Sequence, residues 1–266
     1  MNISVIISGD SRGIEPKEMA VDLVKKAGFD RVFTHWKNYK GNDEGWEFDP
    51  DYIQSVGLDI VFTHLSYKNI NLIWDRDRKG DALIEEYLRD ISECKNYGIP
   101  MVVMHLTTGF DAPACNEVGV ERLKKIIEHA RKLGIKVAFE NTKMKGYLEY
   151  VLSKIKDDNV GVCFDSGHYH AYFNDEFNFL NFKNRIFAVH LHDNDKSDDQ
   201  HLLPFDGTID WLSLLKLLKK SNFNGDITLE SVYRDVYFEL MPLDFYRKSY
   251  DIANKLARMY EELSLF

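Results

Sequence analysis

At 266 residues, with 44% hydrophobic and 29% charged side chains, the chain has ample material for a core and length for one or two domains. Its net charge of −9 suits small-molecule chemistry and argues against tight nucleic-acid binding, which needs clustered Lys and Arg. Three cysteines (Cys94, Cys115, Cys163) without CxxC spacing argue against a disulfide scaffold and fit a reducing cytoplasm, and no apolar run nears the roughly 20 residues of a membrane helix.

The first apolar run, Ile3 to Ile7, is β-branched and lacks a basic leader, so it reads as a buried strand and not a signal peptide. A loop from Ser8 to Gly13 follows, and Pro16 opens a helix that Gly28 ends. Strands are expected at 31–35, 59–64, 101–105, 135–140, 159–165, 186–192 and 225–230. Between them, helices are expected at 51–56, 79–97, 117–133, 145–155 and 210–220, with a last one over 243–263. A polar, glycine-containing loop spans 37–47, and the segment after the sixth strand, Asp165-Ser-Gly, has turn chemistry.

Eight short, nearly continuous apolar strands alternating with helices suit a parallel sheet covered on both faces. In a chain of this length they predict a single (β/α)₈ TIM barrel over residues 1–266, which needs roughly 250 residues. An open dinucleotide-binding sheet is disfavoured, because Ser8–Gly13 carries neither GxGxxG nor GxxxxGK[ST].

The last residues of the strands carry the chemistry. In order they are His35, His64, His105, Glu140, Asp165, His190 with His192, and Glu230. A barrel gathers them at its C-terminal rim, where active sites of this fold are built. Any one of them alone could cap a helix or sit in a loop. Together they would crowd carboxylates at one mouth, and a divalent cation relieves that repulsion. Mixed carboxylate and imidazole donors suit Mn, Zn, Fe or Co, with Mg also open. His190 and His192, two apart on a strand, share a face, one to bind and the other to support or touch substrate. Trp36, Trp46, Trp74 and Phe205 are candidates for an apolar wall against a sugar ring.

At this point the residues resemble the xylose-isomerase-like TIM barrel superfamily, which groups sugar isomerases and epimerases with endonuclease IV. The resemblance is carried by His64-Leu-Ser-Tyr67, Val-Val-Met-His105, Phe-Glu140-Asn-Thr142, Cys-Phe-Asp165-Ser-Gly-His168, His190-Leu-His-Asp193, Asp199-Gln-His201-Leu-Leu-Pro and Ile-Thr-Leu-Glu230. It implies a metal held by Glu140, Asp165, His190 and Glu230, with Glu140 and Glu230 also acting as an acid/base pair beside a substrate carbonyl. It further implies that His168 and Lys196 hold substrate oxygens, although relatives often carry Arg at the latter position. The expected function is a metal-dependent sugar or sugar phosphate isomerase or epimerase, a lyase on a small hydroxy acid being related chemistry.

The endonuclease IV branch is the competing expectation. His64, His105, Glu140, Asp165, His168, His190, Asp199, His201 and Glu230 resemble all nine of its ligand positions around three zinc ions. The cation count expected here is one, and up to three. Tyr67, with Asn69 and Asn71, resembles the loop that endonuclease IV lays on DNA, or else serves as a rim aromatic against a sugar. The acidic charge and the absence of a basic stripe favour a small sugar substrate. The oligomeric state is left open.

Overall fold

The computed structural model describes residues 1–7, 17–36, 47–173 and 177–263. The Ser8–Gly13 loop, Pro16, most of the 37–47 loop and Trp46 lie outside them. Eight parallel strands form the inner wall: β1 (Ile3–Ile6), β2 (Arg31–His35), β3 (Asp59–His64), β4 (Met101–Met104), β5 (Lys136–Glu140), β6 (Val160–Asp165), β7 (Ile186–His190) and β8 (Ile227–Leu229). Each pairs with the next in sequence, and β1 pairs with β8, Val5 beside Leu229. The remaining seam, between β7 and β8, is closed just past β7 by a parallel bridge from Leu191 to Leu229. Leu191 N donates to Thr228 O at 2.9 Å, and Glu230 N donates to Leu191 O at 3.0 Å. The expected barrel is therefore present.

Helices cover the outside: α1 (Lys17–Ala27), α2 (Pro50–Ser55), α3 (Arg78–Asn96), α4 (Glu117–Leu133), α5 (Tyr147–Lys154), α6 (Ser166–Tyr172), α7 (Trp211–Lys220) and α8 (Pro242–Glu262). Their starts follow local chemistry. Asp77, Asn116 and Asp210 cap α3, α4 and α7 through side-chain oxygens, and Pro50 and Pro242 take the first helical positions. Gly134 ends α4 at φ 74°, a left-handed stop that glycine takes without strain.

One element departs from expectation. Asp165-Ser-Gly is not a free turn: α6 begins there at once, because the Asp165 carboxylate accepts the His168 N–H at 2.6 Å as an N-cap. Trp74 also departs. It ends a 3₁₀ turn (Ile70–Trp74), is buried, and donates its indole N–H to Leu106 O at 2.8 Å, so it belongs to the core and forms no sugar wall. Around it a buried Arg122 from α4 donates to the carbonyls of Leu72, Ile73, Asp75 and Asp77 and pairs with Asp81. These contacts tie the turn after β3 to α3 and α4, which holds the rim above β3 and β4 in place.

Candidate metal centre at the mouth of the barrel

Parallel pairing aligns the strand ends, so residues far apart in sequence finish at one level. His35 pairs with His64, Glu140 with Cys163, and Asp165 with His190 in the strand register. Beneath them Phe33 stacks on the His190 ring, with centroids 4.9 Å apart and planes 11° apart, and Phe62 leans on its edge at 5.5 Å. This aromatic floor fixes the imidazole from below and excludes water.

Glu140 is the hub. Its Oε2 stands 2.9 Å from His64 Nε2 and 3.4 Å from His105 Nε2. Its Oε1 stands 3.2 Å from His168 Nδ1 and 3.5 Å from His190 Nδ1. His190 Nδ1 also lies 3.4 Å from Glu230 Oε1 and 3.9 Å from Asp165 Oδ2. A second line leads outward: His168 Nε2 and His201 Nε2 each stand 3.2 Å from Asp199 Oδ2. All nine residues that the sequence gathered are thus in one continuous cluster.

Three subsets have donor atoms mutually within 4.8 Å: His64, His105 and Glu140; Glu140, Asp165, His190 and Glu230; and His192, His201 and Glu230. Several buried donor atoms in them make no well-angled hydrogen bond, namely His105 Nδ1, both nitrogens of His190 and His192 Nδ1, and Asp199 Oδ1 beside them makes none either. Buried polar groups are nearly always satisfied, and a converging set that is not fits a divalent cation. The four-residue set, with three carboxylates and one imidazole, has the donor chemistry for it.

The ionisation pattern reflects the same crowding. Burial alone would raise the Glu140 carboxyl, but the imidazoles of His190 and His105 overcome it and hold the group well below the usual range. Glu230 goes the other way: burial, then the Asp165 and Glu140 charges, push it well above that range. His105 is lowered to about 4 by burial, against the pull of Glu140. In His168, burial is outweighed by Asp165 and Asp199, which raise it well above its ordinary value. His201 reaches about 9, Asp199 prevailing over burial.

His192 is fully buried, its Nε2 3.0 Å from Asp165 Oδ2, and its ring stacks on His201 at 4.1 Å. It therefore faces the carboxylates, in the role of support or ligand. Space for it comes from Gly167, where an added Cβ would sit 1.9 Å from His192 Cε1. Tyr67 stacks flat on His105 at 4.5 Å. Trp36 is buried at the end of β2, its backbone N–H donating to His64 O at 2.8 Å. Lys196 lines a cavity of about 350 Å³ with Tyr169, His170 and Asp210. Phe205 lies under Lys255 Nζ at 3.6 Å, against α8. His35 pairs with Glu47 at 3.3 Å and joins none of the three subsets.

Sequence reasoning passed over three residues that build the site. Asn141 Nδ2 donates to Asp165 O at 2.9 Å and its Oδ1 accepts the Asp165 N–H at 2.8 Å, locking the ends of β5 and β6 together. Asp193, fully buried, accepts from Asn194 N, Phe205 N, Ile209 N and Trp211 Nε1 at 2.8–3.1 Å. It gathers the loop that carries Asp199 and His201. Lys143, just past β5, lies over the rings of Phe110 and Tyr172. The first two lie inside the motifs Phe-Glu140-Asn-Thr142 and His190-Leu-His-Asp193, and their burial was the signal a sequence does not print.

Similar proteins share this architecture. An inosose isomerase of Bacillus velezensis is 27% identical, over 82% of this chain and 81% of its own length. A probable endonuclease 4 of Cenarchaeum symbiosum is 31% identical over a shorter stretch, 38% of this chain and 40% of its own. The crystal structure of the IOLI protein with a bound zinc atom superposes with a TM-score of 0.76 at 19% identity, covering 99% of this chain and all of that one. The profile of the xylose isomerase-like TIM barrel family matches residues 21–258, and the chain belongs to that family.

Proposed function

We propose that the protein is a divalent-metal-dependent isomerase or epimerase of a sugar or polyol ketone. The observation that carries this reading is the pair Glu140 and Glu230, both buried and both within 3.5 Å of His190 Nδ1. Two carboxyl groups converging on one point can take a proton from a substrate carbon and return one to it. The inosose isomerase relatives and the zinc-bearing neighbour support it.

Glu140, Asp165, His190 and Glu230 are the residues that would hold the ion. When bound, a divalent cation supplies Lewis acidity that makes a C–H beside a carbonyl easier to deprotonate. Glu140, held ionised, takes that proton. Glu230, 3.4 Å from His190 Nδ1, returns one to the neighbouring carbon or to the other face. His168, on α6 within 3.2 Å of Glu140, and His192 orient substrate hydroxyls and the Asp165 carboxylate. The Phe33 and Phe62 floor keeps water from the reacting carbon.

Incubation of the metal-loaded protein with an inosose and a panel of ketoses in heavy water tests this. Deuterium at the carbon next to the carbonyl is the expected result; none on any member removes the mechanism.

A second reading rests on the flanking groups. His64 and His105 on one side, and His168, Asp199 and His201 on the other, would hold two further ions. Such a cluster suits phosphodiester hydrolysis. Three zinc ions per chain by elemental analysis, together with cleavage of abasic DNA, would establish this reading over the first.

A further inference from the structure

The mouth of the site is acidic: Glu140, Asp165, Asp199 and Glu230 all face it, and Asp198 stands on its rim. One cation is placed against that background. Lys143 leaves β5 three residues after Glu140, and its Nζ lies 4.8 Å from the centre of the Tyr172 ring and 5.2 Å from that of Phe110. The two rings meet edge to face at 5.8 Å. Among the described residues no carboxylate comes within salt-bridge distance of Lys143.

Tyr172 connects this cation to the reaction centre. It stands one helical turn after His168 on α6, with the rings 5.8 Å apart, and its hydroxyl donates to Asp198 at 3.1 Å. Glu140, His168, Tyr172 and Lys143 thus run in sequence from the floor of the site to its rim. Phe110 is 62% exposed, a large apolar ring turned to solvent beside the opening. An ammonium between aromatic faces loses part of its hydration, and Lys143, which also meets the Tyr172 hydroxyl, has further N–H donors for an anion.

We infer that Lys143, walled by Phe110 and Tyr172, is an anion subsite that takes the terminal phosphate of an acyclic sugar whose carbonyl end lies at Glu140 and Glu230. The assignment rests on the isomerase reading for the carbonyl end, while the phosphate contact itself is independent of turnover. Lys196, which the sequence suggested for holding substrate oxygens, lines a separate cavity with Tyr169, His170 and Asp210. A lysine meets a phosphate as a point charge, and one charge-assisted contact at a half-buried site is worth about tenfold or more in affinity.

Calorimetry on the metal-loaded protein with two unreactive probes, sorbitol 6-phosphate and sorbitol, tests the subsite. The wild type is expected to bind the phosphorylated probe more tightly, with a preference that weakens as salt rises. K143Q is expected to lose about tenfold in affinity for sorbitol 6-phosphate and none for sorbitol, and K143R to restore most of it. F110A is expected to show a smaller loss in the same direction. Equal binding of the two probes by the wild type would overturn the subsite, as would an unchanged preference in K143Q. Lys143-dependent phosphate binding without deuterium incorporation into any ketose would leave the subsite standing and remove the isomerase reading.

Discussion

Glu140 and Glu230 share one nitrogen: their Oε1 atoms lie 3.5 and 3.4 Å from His190 Nδ1. The two residues are ninety positions apart in sequence, at the ends of the fifth and eighth strands of the barrel. The Glu140 charge reaches both His190, which it raises against burial, and Glu230, which it pushes up together with Asp165 after burial.

Glu140→Gln and Glu230→Gln are therefore each expected to reduce turnover by roughly a hundredfold to ten-thousandfold, the usual worth of a positioned acid or base. Both should also weaken metal retention, read by competition with a chromophoric chelator. Full exchange of solvent deuterium into substrate by either variant would contradict the assignment.

Removal of the ion by a chelator should abolish turnover and lower the melting temperature. The four-residue set then crowds three buried carboxyl groups together without the cation that would hold them, and such crowding opposes folding. Re-addition of Mn, Co or Zn should restore both. A chelator-treated protein with unchanged activity would rule out metal dependence.

In the metal-free protein His201 supplies a pH signature. Its folded value is about 9, above the ordinary 6.5, because Asp199 prevails over burial. A raised value means that the stabilisation is complete below pH 6.5 and disappears as pH rises through 9. Denaturant titrations of wild type and His201→Asn at both ends of that window should show a cost of about 2 kcal/mol at the acid end, shrinking at the alkaline end. An equal difference throughout would show that the imidazolium contributes nothing.

Gly167→Ala tests the close approach of α6 to β7. The added Cβ would lie 1.9 Å from His192 Cε1, and the ring has no room to retreat, being fully buried and stacked on His201. A loss of about 2 kcal/mol or more in stability is expected, as for an overpacked core, with weaker metal retention because His192 holds Asp165. Arg122→Met is the contrasting case. It strips donors from four carbonyls and should cost about 3 kcal/mol in stability while leaving the metal count unchanged. Elemental analysis of both variants separates the two effects.

Much of this site was legible because a barrel converts a sequence position into a spatial one. His64, Glu140, Asp165 and His190 each end an apolar strand, and parallel register brings strand ends level, so no long-range contact had to be guessed. Side-chain direction was not legible in this way. Lys196 and Lys143 both follow strands by a few residues, yet the first, at φ 74°, lines a cavity with Tyr169 and His170 and the second lies over the Tyr172 ring. Trp74 was a candidate for an apolar wall against a sugar, but its packing against Gly119 buries it. The helix after β6 was hidden for a different reason. Asp165-Ser-Gly has turn composition, and only the reach of the Asp165 carboxylate back to the His168 N–H makes it a helix start.

That carboxylate has two tasks. Asp165 starts the helix that carries His168 and Tyr172, and it belongs to the set that would hold the ion. One oxygen serves the His168 N–H, the other His192 and the cation position. A change at Asp165 is therefore felt twice, at the set of donors that would hold the ion and at the wall of the entrance built on α6.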